Sequence, residues 1–128
     1  MKAVDTNVVV RYLIGDDPDQ AARARAVVDG EPVFVATTVL LETAWVLRRT
    51  YGMGRSEVAQ ALRAFGGLPG VILEHPERTA EALDRAESGM DFADALHLGA
   101  ARACDALLTF DRKFIRRARD SRIPVTTP

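Results

Sequence analysis

Short apolar segments alternate along the chain with longer segments whose apolar residues recur at helical spacing. Short runs rich in Val, Ile and Leu that end at glycine, proline or a polar residue are typical of strands, and the longer segments are typical of helices. We predict strands at residues 1–4, 33–35, 71–73 and 106–109 and near Val125. We predict helices at residues 8–13, 18–28, 39–51, 56–65, 76–87, 91–104 and 112–119.

This alternation predicts an α/β fold, because strands that are joined through a helix usually pair in parallel. We expect a central parallel sheet of four or five strands with helices on both faces. Ligands of such folds bind beyond the carboxyl ends of the strands. A length of 128 residues and a hydrophobic content of 48% fit one globular domain that spans residues 1–128.

The charge and cysteine content exclude some classes of protein. The 17 basic and 18 acidic residues give a net charge of −1, so attraction to nucleic acid would have to come from local patches. Cys104 is the single cysteine, which excludes an internal disulfide and fits a reducing cytoplasm, and we expect it to be packed within a helix. Asp5 and Glu42 interrupt the longest apolar runs, so we expect neither an export signal nor a membrane span.

Acidic residues occupy positions that a parallel sheet could bring to one crevice. Asp5 and Asp111 each follow a predicted strand, whereas Glu42 and Asp94 interrupt apolar helical segments, in which we expect both to be buried. Two carboxylates about 4 Å apart repel by roughly 4 kcal/mol at an effective dielectric near 20, and a hard cation such as Mg²⁺ or Mn²⁺ removes this cost. We therefore predict a metal site formed by these residues. Asp91 is a further candidate ligand, although capping of a helix explains it more simply.

Most of these acidic residues also have a structural explanation, whereas Asp94, which lies between two alanines, is harder to explain as a cap. Asp5 and Asp111 could cap the helices that follow them, where an aspartate complements the helix dipole. Glu42 could form a buried salt bridge with Arg48 or Arg49. The metal site is favoured because it accounts for all of these positions together.

A basic segment directly follows Asp111. It contains six basic residues and one acidic residue, Asp120, between positions 112 and 122, which would suit a neighbouring phosphate backbone. A solvated helix face whose positive charges favour the helix dipole is the alternative. Hydroxyl and amide side chains near the predicted site could position a carboxylate or a water molecule, although capping and packing explain them equally well. The predicted substrate-binding residues are Thr6, Asn7, Thr109, Arg112, Lys113 and Arg116.

Four segments, DTNVVVRYL, LLETAWVL, DFADALHLGAA and LLTFDRKF, occur in this order and together resemble the motifs of PIN-domain nucleases, in particular the VapC-type toxins of bacterial toxin–antitoxin pairs. The resemblance implies a homodimer with Mg²⁺- or Mn²⁺-dependent cleavage of RNA and a VapB-like antitoxin that blocks the site. It matches Asp5, Glu42, Asp94 and Asp111 to the acidic residues of the family, and Asp91 to a less uniform acidic position.

Our functional hypothesis is hydrolysis of RNA phosphodiester bonds by a water molecule that a metal ion activates. A metal-dependent phosphatase with Asp5 as the phosphoryl acceptor is one alternative, although Asn7 stands where such acceptors commonly have a second aspartate. A non-catalytic module that sequesters a partner protein, with an arginine in the acidic crevice, is another.

Overall fold

The computed structural model describes residues 1–128 as seven helices and five strands. The strands are β1 (Lys2–Ala3), β2 (Val33–Val35), β3 (Val71–Leu73), β4 (Leu107–Leu108) and β5 (Val125–Thr126). The helices are α1 (Thr6–Ile14), α2 (Pro18–Val28), α3 (Thr37–Arg49), α4 (Arg55–Gly66), α5 (Pro76–Glu87), α6 (Phe92–Ala100) and α7 (Arg112–Arg117). Every predicted strand and helix is present, and the α/β class is confirmed.

The strands pair in parallel but form two sheets rather than one. In the first sheet β2 lies between β1 and β3, and Val33 is opposite both Lys2 and Val71. In the second sheet β4 pairs with β5, and Leu107 is opposite Val125. The prediction of parallel pairing is therefore confirmed, whereas the strands expected in a single sheet form one sheet of three strands and one of two.

Buried apolar residues form two clusters. The larger cluster of 15 residues is contributed by the three-stranded sheet, by helices α1 to α5 and by Val4. The smaller cluster of 7 residues lies among α5, α6 and α7, and Leu107 and Val125 of the second sheet pack against it. Helix α5 contributes to both clusters and packs against α4 and α6. It therefore joins the half of the molecule that carries β1 to the half that carries α6 and α7.

Helix α3 buries only one of its faces, which corrects the expectation that Glu42 is buried. Its buried residues, Leu40, Thr43, Ala44 and Leu47, recur at the spacing of one helical stripe. Glu42 lies off this stripe and is exposed. The apolar run that contains it misled the prediction because an apolar sequence does not require burial on every side.

Cys104 also differs from its prediction. Helix α6 ends at Ala100, so Cys104 lies outside it and is exposed rather than packed. None of the helices combines the length with the apolar character that crossing a membrane requires.

Two phenylalanines provide a matched test of the core. Phe65 is 1% exposed, and its ring meets that of Tyr12 edge-on at a centroid distance of 5.6 Å, whereas Phe110 is 82% exposed. Phe65→Ala should lower the free energy of unfolding by about 3–5 kcal/mol through lost burial and a cavity. Phe110→Ala should change it by less than about 0.5 kcal/mol. Urea unfolding followed by circular dichroism measures both, and equal effects would contradict the described core.

Candidate active-site cleft

A polar cleft of about 300 Å³ opens where the start of α4, the start of α6 and one side of α7 approach one another. Its lining includes three acidic and three basic side chains, and only two of its lining residues are hydrophobic. The charged residues are Asp91, Asp94, Asp111, Arg55, Lys113 and Arg117. This cleft brings together three of the five acidic residues that the sequence predicts as site residues.

Helix capping positions two of these carboxylates. Asp91 is the N-cap of α6, and its Oδ1 accepts a hydrogen bond from the amide of Asp94 at 3.2 Å. Asp111 is the N-cap of α7, and its Oδ1 accepts from the amides of Lys113 at 2.9 Å and Phe114 at 3.1 Å. Each cap occupies one carboxylate oxygen and leaves Oδ2 without a hydrogen bond from the protein. Capping therefore fixes each side chain while one oxygen remains free for a ligand.

Asp94 differs from its two neighbours because its carboxylate accepts no hydrogen bond within the protein. Its partial burial raises its pKa, and the negative charges of Asp91 and then Asp111 raise it further. His97 and Arg55 act in the opposite direction on the pKa of Asp94 and do not overcome this rise. The ionised form of Asp94 is thus destabilised, and a bound cation would relieve it.

A second acidic pair is held by Thr6, which is buried at the start of α1. The amide of Thr6 donates to Oδ1 of Asp5, the N-cap of that helix, at 2.6 Å. The hydroxyl of Thr6 donates to Oε1 of Glu42 on α3. Thr6 therefore links the end of β1 to α3 and orients both carboxylates.

Glu42 forms no ion pair with Arg48 or Arg49, so the salt-bridge alternative for Glu42 is wrong. Arg49 instead lies over the ring of Trp45. The carboxylate of Glu42 keeps Oε2 free of hydrogen bonds, as the capping aspartates keep Oδ2.

The five predicted acidic residues therefore appear as two groups, one in the cleft and one around Thr6. The carboxylates that affect the pKa of Asp94 are those of the cleft group, Asp91 and Asp111. No group of three or more His, Cys, Asp or Glu side chains is arranged to hold a metal ion. The chemistry of the donors nevertheless fits a hard divalent cation. Both acidic groups offer carboxylate oxygens, and the carboxylate of Asp94 accepts no hydrogen bond from the protein.

The basic residues at the cleft are only partly those that the sequence predicts. Lys113 lines the cleft, whereas Arg112 and Arg116 are exposed and do not line it. Arg55 and Arg117 line it and were not among the predicted substrate-binding residues. Arg117 belongs to the basic segment after Asp111, so that segment could have indicated it as a residue of the cleft. No local sequence pattern marks Arg55 in the same way.

Backbone carbonyls just before α6 anchor the two arginines. The guanidinium of Arg55 donates to the carbonyl of Gly89 at 3.1 Å, and that of Arg117 donates to the carbonyl of Ser88 at 3.3 Å. Both side chains are thereby held at the cleft, with further N–H groups free for an anion.

The remaining predicted substrate-binding residues have different surroundings. Thr109 accepts a hydrogen bond from the amide of Asp111 at its Oγ1, at 3.0 Å, and so supports the turn that presents this carboxylate. Asn7 is exposed and lines a separate cleft between α1 and α2. Thr6, as described above, orients Asp5 and Glu42.

The model of the PIN-domain family matches residues 2–120 of the chain, which include both acidic groups. The chain belongs to the PIN-domain family. PIN domains are typically nucleases that use divalent metal ions, so membership indicates a hydrolase that acts on nucleic acid. The resemblance drawn from the sequence motifs is confirmed for this PIN domain at the level of the family. No curated protein sequence matches the chain.

The raised pKa of Asp94 predicts how stability depends on pH. Folded protein holds the proton of Asp94 more tightly than the unfolded chain does. The free energy of unfolding should therefore fall as the pH rises from below the ordinary pKa of an aspartate, about 3.9, through the raised pKa of the folded state. Asp94→Asn removes the ionisation, and in metal-free buffer at pH 7 this variant should melt at a higher temperature than the unsubstituted protein.

Differential scanning calorimetry between pH 3 and pH 8 tests this prediction. Asp105→Asn is a matched control, because Asp105 is exposed and lies outside the cleft. A melting temperature for Asp94→Asn that equals that of the unsubstituted protein at pH 7 would contradict the described environment of Asp94.

Proposed function

We propose that the protein is a Mg²⁺- or Mn²⁺-dependent endoribonuclease that acts as the toxin of a toxin–antitoxin pair. The observation that carries the nuclease assignment is the position of Asp94, destabilised between Asp91 and Asp111 in a cleft of a PIN domain. Arg55, Lys113 and Arg117 at the same cleft supply the positive charges that a phosphate group requires.

We assign the divalent cation to the carboxylates of the cleft. The free Oδ2 atoms of Asp91 and Asp111, together with the carboxylate of Asp94, would hold it. Asp5 and Glu42 are assigned to the same catalytic set, because Thr6 orients both of them and they occur in the first two of the four family-like motifs. The cation would polarise the scissile phosphate and lower the pKa of an attacking water molecule.

The side chains of the protein position the reacting groups. Arg55, Lys113 and Arg117 bind the phosphate oxygens and stabilise the negative charge that develops on them. The carboxylates accept hydrogen bonds from the water molecule and orient it for attack on phosphorus. Its oxygen forms the new P–O bond, the bond to the 3′ oxygen breaks, and the 3′ oxygen leaves with a proton, so one product carries a 5′-phosphate.

The toxin role rests on the resemblance of the four sequence motifs to those of VapC-type toxins. It includes a VapB-like antitoxin that blocks the cleft and a homodimeric state. In this proposal an arginine of the antitoxin pairs with the carboxylates of the cleft and inhibits the enzyme by occupying the site. A small reading frame for a DNA-binding protein immediately upstream of the gene would support this pairing.

Removal of metal tests the proposed chemistry. Purified protein without antitoxin should cleave RNA, lose this activity in EDTA and regain it when Mn²⁺ is added in excess, and the new ends should carry 5′-phosphates. Gel analysis and end-mapping of total RNA measure both properties. Cleavage that is indifferent to EDTA would reject the metal-dependent scheme, and turnover of phosphomonoesters with intact RNA would favour the phosphatase alternative.

Substitution of the carboxylates tests the residue assignments. Asp94→Asn, Asp111→Asn and Glu42→Gln should each lower kcat for RNA by about 100-fold or more, because the first two remove a proposed ligand of the cation and the third removes a negative charge of the same catalytic set. Asparagine caps a helix about as well as aspartate, so Asp111→Asn should remain folded. The control Asp105→Asn should keep full activity. Undiminished activity of the Asp94→Asn variant would remove the cleft from the mechanism.

A further inference from the structure

Gly89, in the turn between α5 and α6, has a backbone conformation that few other residues adopt, with a φ of +107°. Its amide donates to the carbonyl of Ala86. The amide of the buried Met90 donates to the carbonyl of Arg85. These are the hydrogen bonds of a Schellman motif, in which a glycine with positive φ ends a helix. The end of α5 therefore accounts for the conformation of Gly89.

The end of a helix does not account for a second feature of Gly89, its close contact with the guanidinium of Arg117 on α7. A Cβ atom placed on Gly89 would lie 2.9 Å from Nη1, 3.0 Å from Cζ and 3.3 Å from Nη2 of that side chain. The other two glycines with positive φ, Gly15 and Gly52, have no neighbouring atom within 4 Å of such a Cβ atom. The planar guanidinium thus lies directly on the backbone of Gly89, where any side chain would displace it.

Arg117 lies between two groups of carboxylates and pairs with neither. On one side is the candidate active-site cleft. On the other side is a second polar cleft of about 390 Å³, whose acidic residues are Glu81, Asp84 and Asp120. Arg117 forms no ion pair, and its guanidinium donates to the carbonyl of Ser88. Its contacts with the turn are therefore to uncharged backbone, which leaves its positive charge available to an anion.

We propose that Gly89 is a positioning residue of the active-site cleft, because its missing side chain lets the guanidinium of Arg117 lie where it meets a phosphate oxygen of the substrate. This inference rests on the proposed nuclease function and specifies how the cleft is kept in order. Asp91 follows Gly89 by two residues and caps α6, so one short turn holds a phosphate-binding group and a cation-binding group at a fixed separation.

The effect of a side chain at position 89 follows from the position of Arg117. The atoms that such a side chain would meet are at the end of a long, flexible side chain, so the guanidinium would move and the fold would remain. The carboxylates of the second cleft would attract the displaced guanidinium and hold it away from the substrate.

Substitution of Gly89 tests this proposal. Gly89→Ala should lower kcat for RNA by about 10- to 100-fold, because the phosphate-binding group is misplaced. The Mn²⁺ concentration that gives half-maximal activity should stay the same, since no carboxylate is changed. Gly89→Asn should behave alike, and asparagine tolerates positive φ better than alanine does, so this variant keeps the test valid if Gly89→Ala folds poorly.

Gly52→Ala is the matched control. Gly52 has a φ of +65°, lies outside the cleft and has room for a Cβ atom, so this variant has the backbone strain without the collision. It should melt at a lower temperature than the unsubstituted protein, as Gly89→Ala should, and keep full kcat. An equal loss of kcat in both glycine variants would overturn the inference, because strain alone would then explain it.

A double-mutant cycle tests whether Gly89 acts through Arg117. Arg117→Gln should itself lower kcat, and Gly89→Ala in that background should cause no further loss, because the group that the glycine positions is already absent. Two losses that multiply, or an Arg117→Gln variant with full kcat, would overturn the inference. A raised Mn²⁺ requirement in Gly89→Ala would also overturn it, because the substitution would then act through Asp91.

A crystal structure of Gly89→Ala separates failure of this inference from failure of the proposed function. The guanidinium of Arg117 should move by about 1 Å or more, a displacement large enough to affect catalysis, while Asp91 still caps α6. A guanidinium that stays in place would overturn the inference even if the nuclease activity is confirmed. Absence of Mn²⁺-dependent cleavage by the unsubstituted protein would instead reject the proposed function.

Discussion

The capping of helix N-termini by aspartate side chains places the acidic groups of this protein. Asp5, Asp91 and Asp111 begin α1, α6 and α7, and each gives one carboxylate oxygen to backbone amides that have no partner within the helix. The helix dipole also stabilises a negative charge at that position. Folding can therefore hold these carboxylates at the surface and leave an oxygen of each available. Each of these aspartates can therefore cap a helix with one oxygen and bind a cation with the other.

Asp94 is the acidic residue of the cleft whose carboxylate receives no stabilising contact from the fold. It receives no hydrogen bond, it is partly buried, and it faces two carboxylates, whose charges raise its pKa together with burial. Arg55 opposes this rise in the pKa of Asp94 and does not cancel it. Backbone carbonyls before α6 hold the guanidinium groups of Arg55 and Arg117. This imbalance is the physical basis of our proposal that a divalent cation completes the site, while the arginines and Lys113 meet the phosphate.

The sequence predicted the elements well because each has a local cause. Apolar periodicity, prolines and glycines mark the strands and helices, and the caps at Asp5, Asp91 and Asp111 were foreseen from residue type and position. The division of the sheet, the exposure of Glu42 and the place of Arg55 were not foreseen. They depend on which face of a helix meets its neighbours and on contacts between distant segments, and no local pattern encodes those. The family-like motifs made up for part of this loss, because the segment LLETAWVL identifies Glu42 as a candidate site residue whether or not its side chain is buried.

Crystals grown with Mn²⁺ locate the proposed cation independently of any assay, because manganese scatters X-rays anomalously. We expect an anomalous peak in the cleft within about 2.5 Å of oxygens from Asp94 and at least one of Asp91 and Asp111. We expect no such peak at saturating Mn²⁺ for the Asp94→Asn variant. Crystals of the unsubstituted protein with no manganese bound at these carboxylates would show that the cleft is not a metal site.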